Sequence, residues 1–137
     1  MSAFFLDTNV LVYHLLENHA EYSPRSSKLF DRLCTGHDVA WCSSTVILET
    51  TFVLEKGFQV PRPDMYDPIR EIVSIPAITF ERRDAILEAL KFWRDNTPLS
   101  YADCFHLALT RQFGLQHICT FDRKMDRYPG ITRIETT

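Results

Sequence analysis

Across its 137 residues the chain has no C-x-x-C pair, no internal repeat and no low-complexity tract. No apolar run approaches the roughly 20 residues that cross a bilayer. Its four cysteines, Cys34, Cys42, Cys104 and Cys119, are widely spaced within apolar stretches, where a reduced thiol behaves as a small hydrophobe. That pattern argues against a zinc site and against a disulfide framework. The start lacks a basic stretch leading into an apolar one, so a cytoplasmic protein with no membrane partner is expected. Only four glycines occur, and the seven prolines are scattered rather than gathered into a linker. One domain over 1–137 is therefore expected, burying roughly two thirds of its unfolded surface. Strong charge of one sign is also missing. A formal charge of −3 and a pI near 5.9 argue against holding a polyanion by bulk electrostatics alone, although divalent cations on a carboxylate cluster would reverse that balance.

What is present is a run of short apolar segments: AFFL (3–6), DVAWC (38–42), AITF (77–80), HICTF (117–121) and TRIE (132–135). Helical patterns separate most of them. Ser23 and Pro24 read as N-cap and first residue of a helix closed by Gly36; Ser43 or Ser44 opens the next, which Gly57 ends. Asp64 reads as the cap of a short helix reaching Val73. Residues 82–96 carry the apolar set Ala85, Ile86, Ala89, Leu90 and Trp93, and Ser100 opens a helix through Phe113 that Gly114 stops. Strands alternating with helices describe an α/β fold, a mostly parallel sheet of about five short strands with helices on both faces. Ligands in such folds bind beyond the carboxyl ends of the strands.

Four acids stand at the starts or ends of these elements. In AFFLDTNVLVY, Asp7 directly follows the first strand, and Asp122 follows HICTF in the same way. Glu49 lies in SSTVILETTFVL, a helix so apolar that burial is expected, and a lone buried charge is costly. Asp103 occupies the first turn of SYADCFHLALTRQF. Each has a structural alternative: a cap or turn role for Asp7 and Asp122, a capping box for Ser100 and Asp103, an arginine partner for Glu49. Taken together, like charges at one sheet edge call for a cation between them. Oxygen ligands without histidine or cysteine suit a hard ion, Mg²⁺ or Mn²⁺.

The order of LDTN, the glutamate of Ser44 to Glu49, the aspartate of SYADCFHLALT and TFDRKM resembles the PIN-domain nucleases over nearly the whole chain, and among them the VapC toxins of toxin-antitoxin pairs. The resemblance implies a three-layer PIN-like fold and a metal-dependent endoribonuclease leaving a 5′ phosphate and a 3′ hydroxyl. Position by position it makes Asp7, Glu49, Asp103 and Asp122 the metal-binding and catalytic acids, with Thr8, Asn9 and Thr120 orienting them. Asp126 competes with Asp122, which is preferred because it directly follows its strand. The family further implies an RNA substrate, a homodimer and a cognate antitoxin.

Two basic groups stand out. Arg25, Lys28 and Arg32 share a helical stripe that reads first as a solvated face, whereas Arg123, Lys124 and Arg127 follow the last acid and are the better candidates for RNA phosphates. His14, His19, His37, His106 and His117 show no metal-ligand spacing. Tyr13, Leu16, Phe30 and Leu33 read as core or as part of a partner surface. A receiver or phosphatase domain would also place aspartates at strand ends with Mg²⁺. Ser43 and Ser44 after DVAWC, and Asn9 where D-x-D needs an acid, count against it. A non-catalytic binding module that keeps the fold is a further alternative, against which the intact acid set argues, and a PIN nuclease of RNA processing outside a toxin pair is another.

Overall fold

A computed structural model describes residues 3–136. The chain divides into two compact units, Met1–Arg83 and Asp84–Thr137. In the first, β1 (Ala3–Phe5) leads through α1 (Thr8–Leu16) and α2 (Tyr22–Cys34) to β2 (Val39–Cys42). From there α3 (Ser44–Phe52), a π-turn over Val53–Gly57 and α4 (Arg62–Val73) lead to β3 (Ile78–Phe80). The sheet order is β1-β2-β3 and both pairings are parallel, with Phe5 opposite Trp41 and Cys42 opposite Phe80. The remainder runs α5 (Arg83–Asp95), α6 (Tyr101–Gln112), β4 (His117–Cys119), a 3-10 turn over Arg123–Arg127 and β5 (Thr132–Ile134). Strands β4 and β5 pair in parallel as a second sheet. The expected α/β class and five short parallel strands are thus present, divided three and two between the units.

Apolar periodicity fixes which helix faces are buried. The expected set on α5, Ala85, Ile86, Ala89, Leu90 and Trp93, is buried throughout, and Leu99 and Leu107 join it in the second unit. Leu6, Leu11, Phe30, Leu33, Ile47, Ile69 and Ile78 form the core of the first. Fully burying such a side chain contributes about 1.5–3 kcal/mol, so these faces outweigh propensity in setting the elements. Cys42 and Cys104 are buried as small hydrophobes, whereas Cys34 and Cys119 are exposed; all four are free thiols. No helix among the described residues is long and apolar enough to cross a membrane.

Caps decide the boundaries, and two differ from expectation. Ser43 accepts from the Val46 amide at 3.2 Å and Ser100 from the Asp103 amide at 3.1 Å, as their spacing predicts. Helix α2 instead starts at Tyr22, ahead of Ser23, because His19 Nδ1 accepts from the amides of Glu21 and Tyr22 at 3.2 and 2.9 Å. Ser23 lies inside the helix with its hydroxyl turned back to the His19 amide at 3.1 Å. Helix α4 likewise starts at Arg62 rather than at an Asp64 cap: Pro61 is the extended N-cap, Pro63 sets the first turn, and the Asp64 amide already donates to the Pro61 carbonyl at 3.0 Å, while the buried Arg62 guanidinium is anchored on Glu55 at 2.5 Å.

Candidate active site

Strand β1 ends where the Leu6 amide bonds to the Trp41 carbonyl at 2.8 Å, and the chain turns through Asp7 in an extended conformation to begin α1. By position Asp7 is the N-cap of α1, yet its side chain makes no cap hydrogen bond. Asp7 thus holds the turn position through its backbone, whose carbonyl accepts from the Val10 amide at 3.2 Å, and its carboxylate is not used by the helix. Glu49 is exposed, not buried: the nine-residue helix α3 turns Val46, Ile47, Thr50 and Thr51 inward and leaves Leu48 and Glu49 outward. A sequence apolar on nearly every side still has one face too many for a helix this short to bury. Glu49 Oε2 accepts a hydrogen bond from the Thr8 hydroxyl at 3.1 Å.

Asp7, Thr8, Asn9 and Glu49 line one cleft of about 380 Å³, with Val12, Tyr13, Leu16, Val53 and Phe58 as its apolar wall and Asn18 at its rim. Oxygen donors on an apolar wall are what a small polar ligand site requires. The field of Asp7 reaches the Cys42 thiol beneath it. Burial first, and the aspartate's charge in addition, push that thiol up to about 11, the Ser43 amide opposing them. Cys42 is protonated at neutral pH and is no nucleophile. Tyr13 and Leu16, expected in a core or partner stripe, face the cleft, and no sequence signal marked Asn18 as a neighbour of the acids.

The other assigned acids belong to the second unit, where each has a capping role. Asp103 completes a capping box: Oδ2 accepts from the Ser100 amide at 3.2 Å while the Asp103 amide donates to the Ser100 hydroxyl. Asp122 caps the 3-10 turn, accepting from the Lys124 amide at 3.0 Å, with Lys124 Nζ 3.7 Å from its second oxygen. Thr120 Oγ1 accepts from the Asp122 amide at 3.1 Å and so fixes the approach to that turn. Asp126 pairs with Arg133 at 3.1 Å. Arg123, Lys124 and Arg127 are all exposed on the turn.

The PIN domain model matches residues 4–131. The chain belongs to the PIN domain family. It is 24% identical over 122 residues to the VapC ribonuclease of Aquifex aeolicus (strain VF5), covering 89% of each chain. Among solved structures it is similar to the Mycobacterium tuberculosis VapC20 toxin, described as cleaving the sarcin-ricin loop, at 16% identity and a TM-score of 0.41, over 94% of this chain and 96% of that one.

Within either unit of this PIN chain, among the described residues, no three His, Cys, Asp or Glu side chains gather to hold an ion by themselves. The donor chemistry of the cleft nonetheless fits a hard cation. It offers the carboxylates of Asp7 and Glu49, the Thr8 hydroxyl and the amide oxygens of Asn9 and Asn18, with no soft ligand, and Mg²⁺ is usually held by one or two carboxylates together with water.

Proposed function

We propose that the protein is a divalent-metal-dependent endoribonuclease, the toxin of a toxin-antitoxin pair, built as a single PIN domain. The observation that carries the reading is Asp7: a carboxylate at a strand end, beside Glu49 in an oxygen-lined cleft, with no cap bond to account for it. PIN nucleases generally use divalent metals, and the similarity to a VapC ribonuclease supports RNA as substrate and an antitoxin as partner. Asp7, Glu49, Asp103 and Asp122 are taken as the metal-ligating acids. For the first two the cleft supports this role, and for Asp103 and Asp122 the support is their place in the family pattern. When bound, Mg²⁺ or Mn²⁺ acidifies a water and offsets phosphate charge.

The chain's own residues hold and orient. The Thr8 hydroxyl fixes the carboxylate of Glu49, and Asn9 presents an amide beside Asp7 to position a carboxylate, water or phosphate oxygen. Thr120 sets the turn that carries Asp122. Arg123, Lys124 and Arg127 are taken as RNA-binding, and the working form as a cytoplasmic homodimer.

Labelled RNA incubated with the purified protein tests this directly. Cleavage should need Mn²⁺ or Mg²⁺, stop on chelation, return on adding metal back, and fail in Asp7→Asn. Undiminished cleavage in excess EDTA, with contaminating nuclease excluded, rules out the metal mechanism.

A further inference from the structure

A second and larger cavity, about 630 Å³, opens between α1 and α2, and it shares Asn9 and Tyr13 with the acidic cleft. Its far side is made by Arg25, Lys28 and Arg32, which recur on one face of α2, and by Tyr22 at the start of that helix. All three basic residues are exposed and Arg32 is tied to Asp38 at 2.8 Å, and the groove they line reaches Asn9, which also lines the cleft of Asp7. Resting on the nuclease reading above, we propose that the groove is a subsite for single-stranded RNA, holding the phosphates and a base of the strand next to the bond being cut.

Three features carry the proposal. Arg25 pairs with Glu21 at 3.4 Å between two largely exposed side chains, a pair weak enough to be exchanged for a phosphate. Tyr22 is already ordered: His19 stacks on it at 4.3 Å between ring centroids, Tyr13 meets it at 5.4 Å, and the Arg25 guanidinium lies 5.7 Å from its ring centre. An aromatic cluster with a guanidinium over one of its rings is a combination that single-stranded nucleic acid uses, since every base has a face to stack and every phosphate a charge to place. Continuity supplies the third, because a strand whose phosphate sits at Asn9 runs on into the groove. An acidic protein segment would match the charges but has no need of the ring platform, so RNA is the favoured occupant.

The test uses the full chain and a fluorescein-labelled oligouridylate about a dozen nucleotides long, within the span that one single-strand site covers. Anisotropy in EDTA reads the groove with no cleavage possible. Arg25→Gln with Lys28→Gln should weaken binding by about tenfold and flatten the dependence of log K on log salt by about 1.4, as expected when two phosphates of a single strand are no longer neutralised. Tyr22→Ala should weaken binding with the salt slope kept, and Tyr22→Phe should restore it. Lys56→Gln, an exposed charge that lines neither cavity, should leave both affinity and slope unchanged. In Mn²⁺ the paired charge variant should raise KM and spare kcat. Unchanged affinity and slope in that variant overturn the proposal, as does a loss equalled by Lys56→Gln. It is also overturned if the variant binds RNA normally but no longer binds a glutamate-rich peptide that the parent binds, since the occupant is then protein. Binding through the groove without metal-dependent cleavage would fail the nuclease reading alone, whereas cleavage untouched by the groove variants would fail the groove alone.

Discussion

A carboxylate has two oxygens, and Asp7 and Asp103 use them differently. Asp7 gives neither to the helix that it precedes. Asp103 gives one, Oδ2, to the Ser100 amide, and that bond fixes the plane of the carboxylate while Oδ1 carries no described hydrogen bond. Capping and metal ligation are therefore compatible at Asp103, and the isosteric change Asp103→Asn separates them. The asparagine oxygen still accepts from the Ser100 amide, so melting in EDTA should shift by no more than about 0.5 kcal/mol, the charge-dipole part of the cap. Losing a ligand charge, in contrast, should cut metal-dependent cleavage by about a hundredfold or more. Ser100→Ala should give the opposite profile, costing about 1 kcal/mol of stability through the unsatisfied Asp103 amide, with the smaller effect on cleavage. Initial rates in Mn²⁺ set against melting in EDTA decide it. An Asp103→Asn protein that cleaves normally removes Asp103 from the proposed ligands.

Helix starts are set by which acceptor reaches the first free amides. At α3 and α6 the acceptor is a serine in the expected place, and sequence pattern and structure agree on Ser43 and Ser100. At α2 it is the ring of His19, which residue preferences for N-caps do not include, so Ser23 and Pro24 place the boundary too late. The same limit explains Glu49. Its neighbours are apolar enough to predict burial, but only the length of α3 and the face it turns inward decide exposure, and neither can be counted from composition. Asp7 is legible because strand, acid and helix follow directly in sequence. Its cleft is not, since Asn18, Val53 and Phe58 reach it from other elements. The His19 cap makes a prediction at this scale. His19→Ala should lower stability by about 0.5–2 kcal/mol, the range for losing an N-cap acceptor, measured as a shift in the urea midpoint at constant slope. His19→Asn, with an oxygen near the same amides, should recover part of it. If alanine costs nothing, water satisfies those amides equally well and the ring does not set the helix start.

Each unit has its own core and its own polar clamp. In the second, Glu88 accepts from Arg111 and, at 2.5 Å, from the Tyr128 hydroxyl; burial alone would raise its carboxyl, but these bonds outweigh burial and hold it below its usual range. In the first, Arg62 clamps Glu55. Internally complete units would fold separately if nothing else joined them, yet the PIN match runs unbroken from residue 4 to 131, which supports the single domain proposed here. The two tryptophans give each unit a reporter, Trp41 on β2 and the buried Trp93 on α5. In Trp93→Phe and in Trp41→Phe, fluorescence therefore reports one unit while far-UV ellipticity reports both. A single domain requires the two signals to fall together within each variant, whatever its absolute stability. Metal sharpens the comparison. At a hundred times its Kd a ligand adds about 2.7 kcal/mol to the state that binds it, so Mn²⁺ should move both reporters' midpoints by the same free energy if the chain unfolds as one. A shift confined to the Trp41 reporter would mean that the Asp7 and Glu49 cleft binds the ion in a unit that unfolds alone. In that case Asp103 and Asp122 would lose their proposed role along with the single domain.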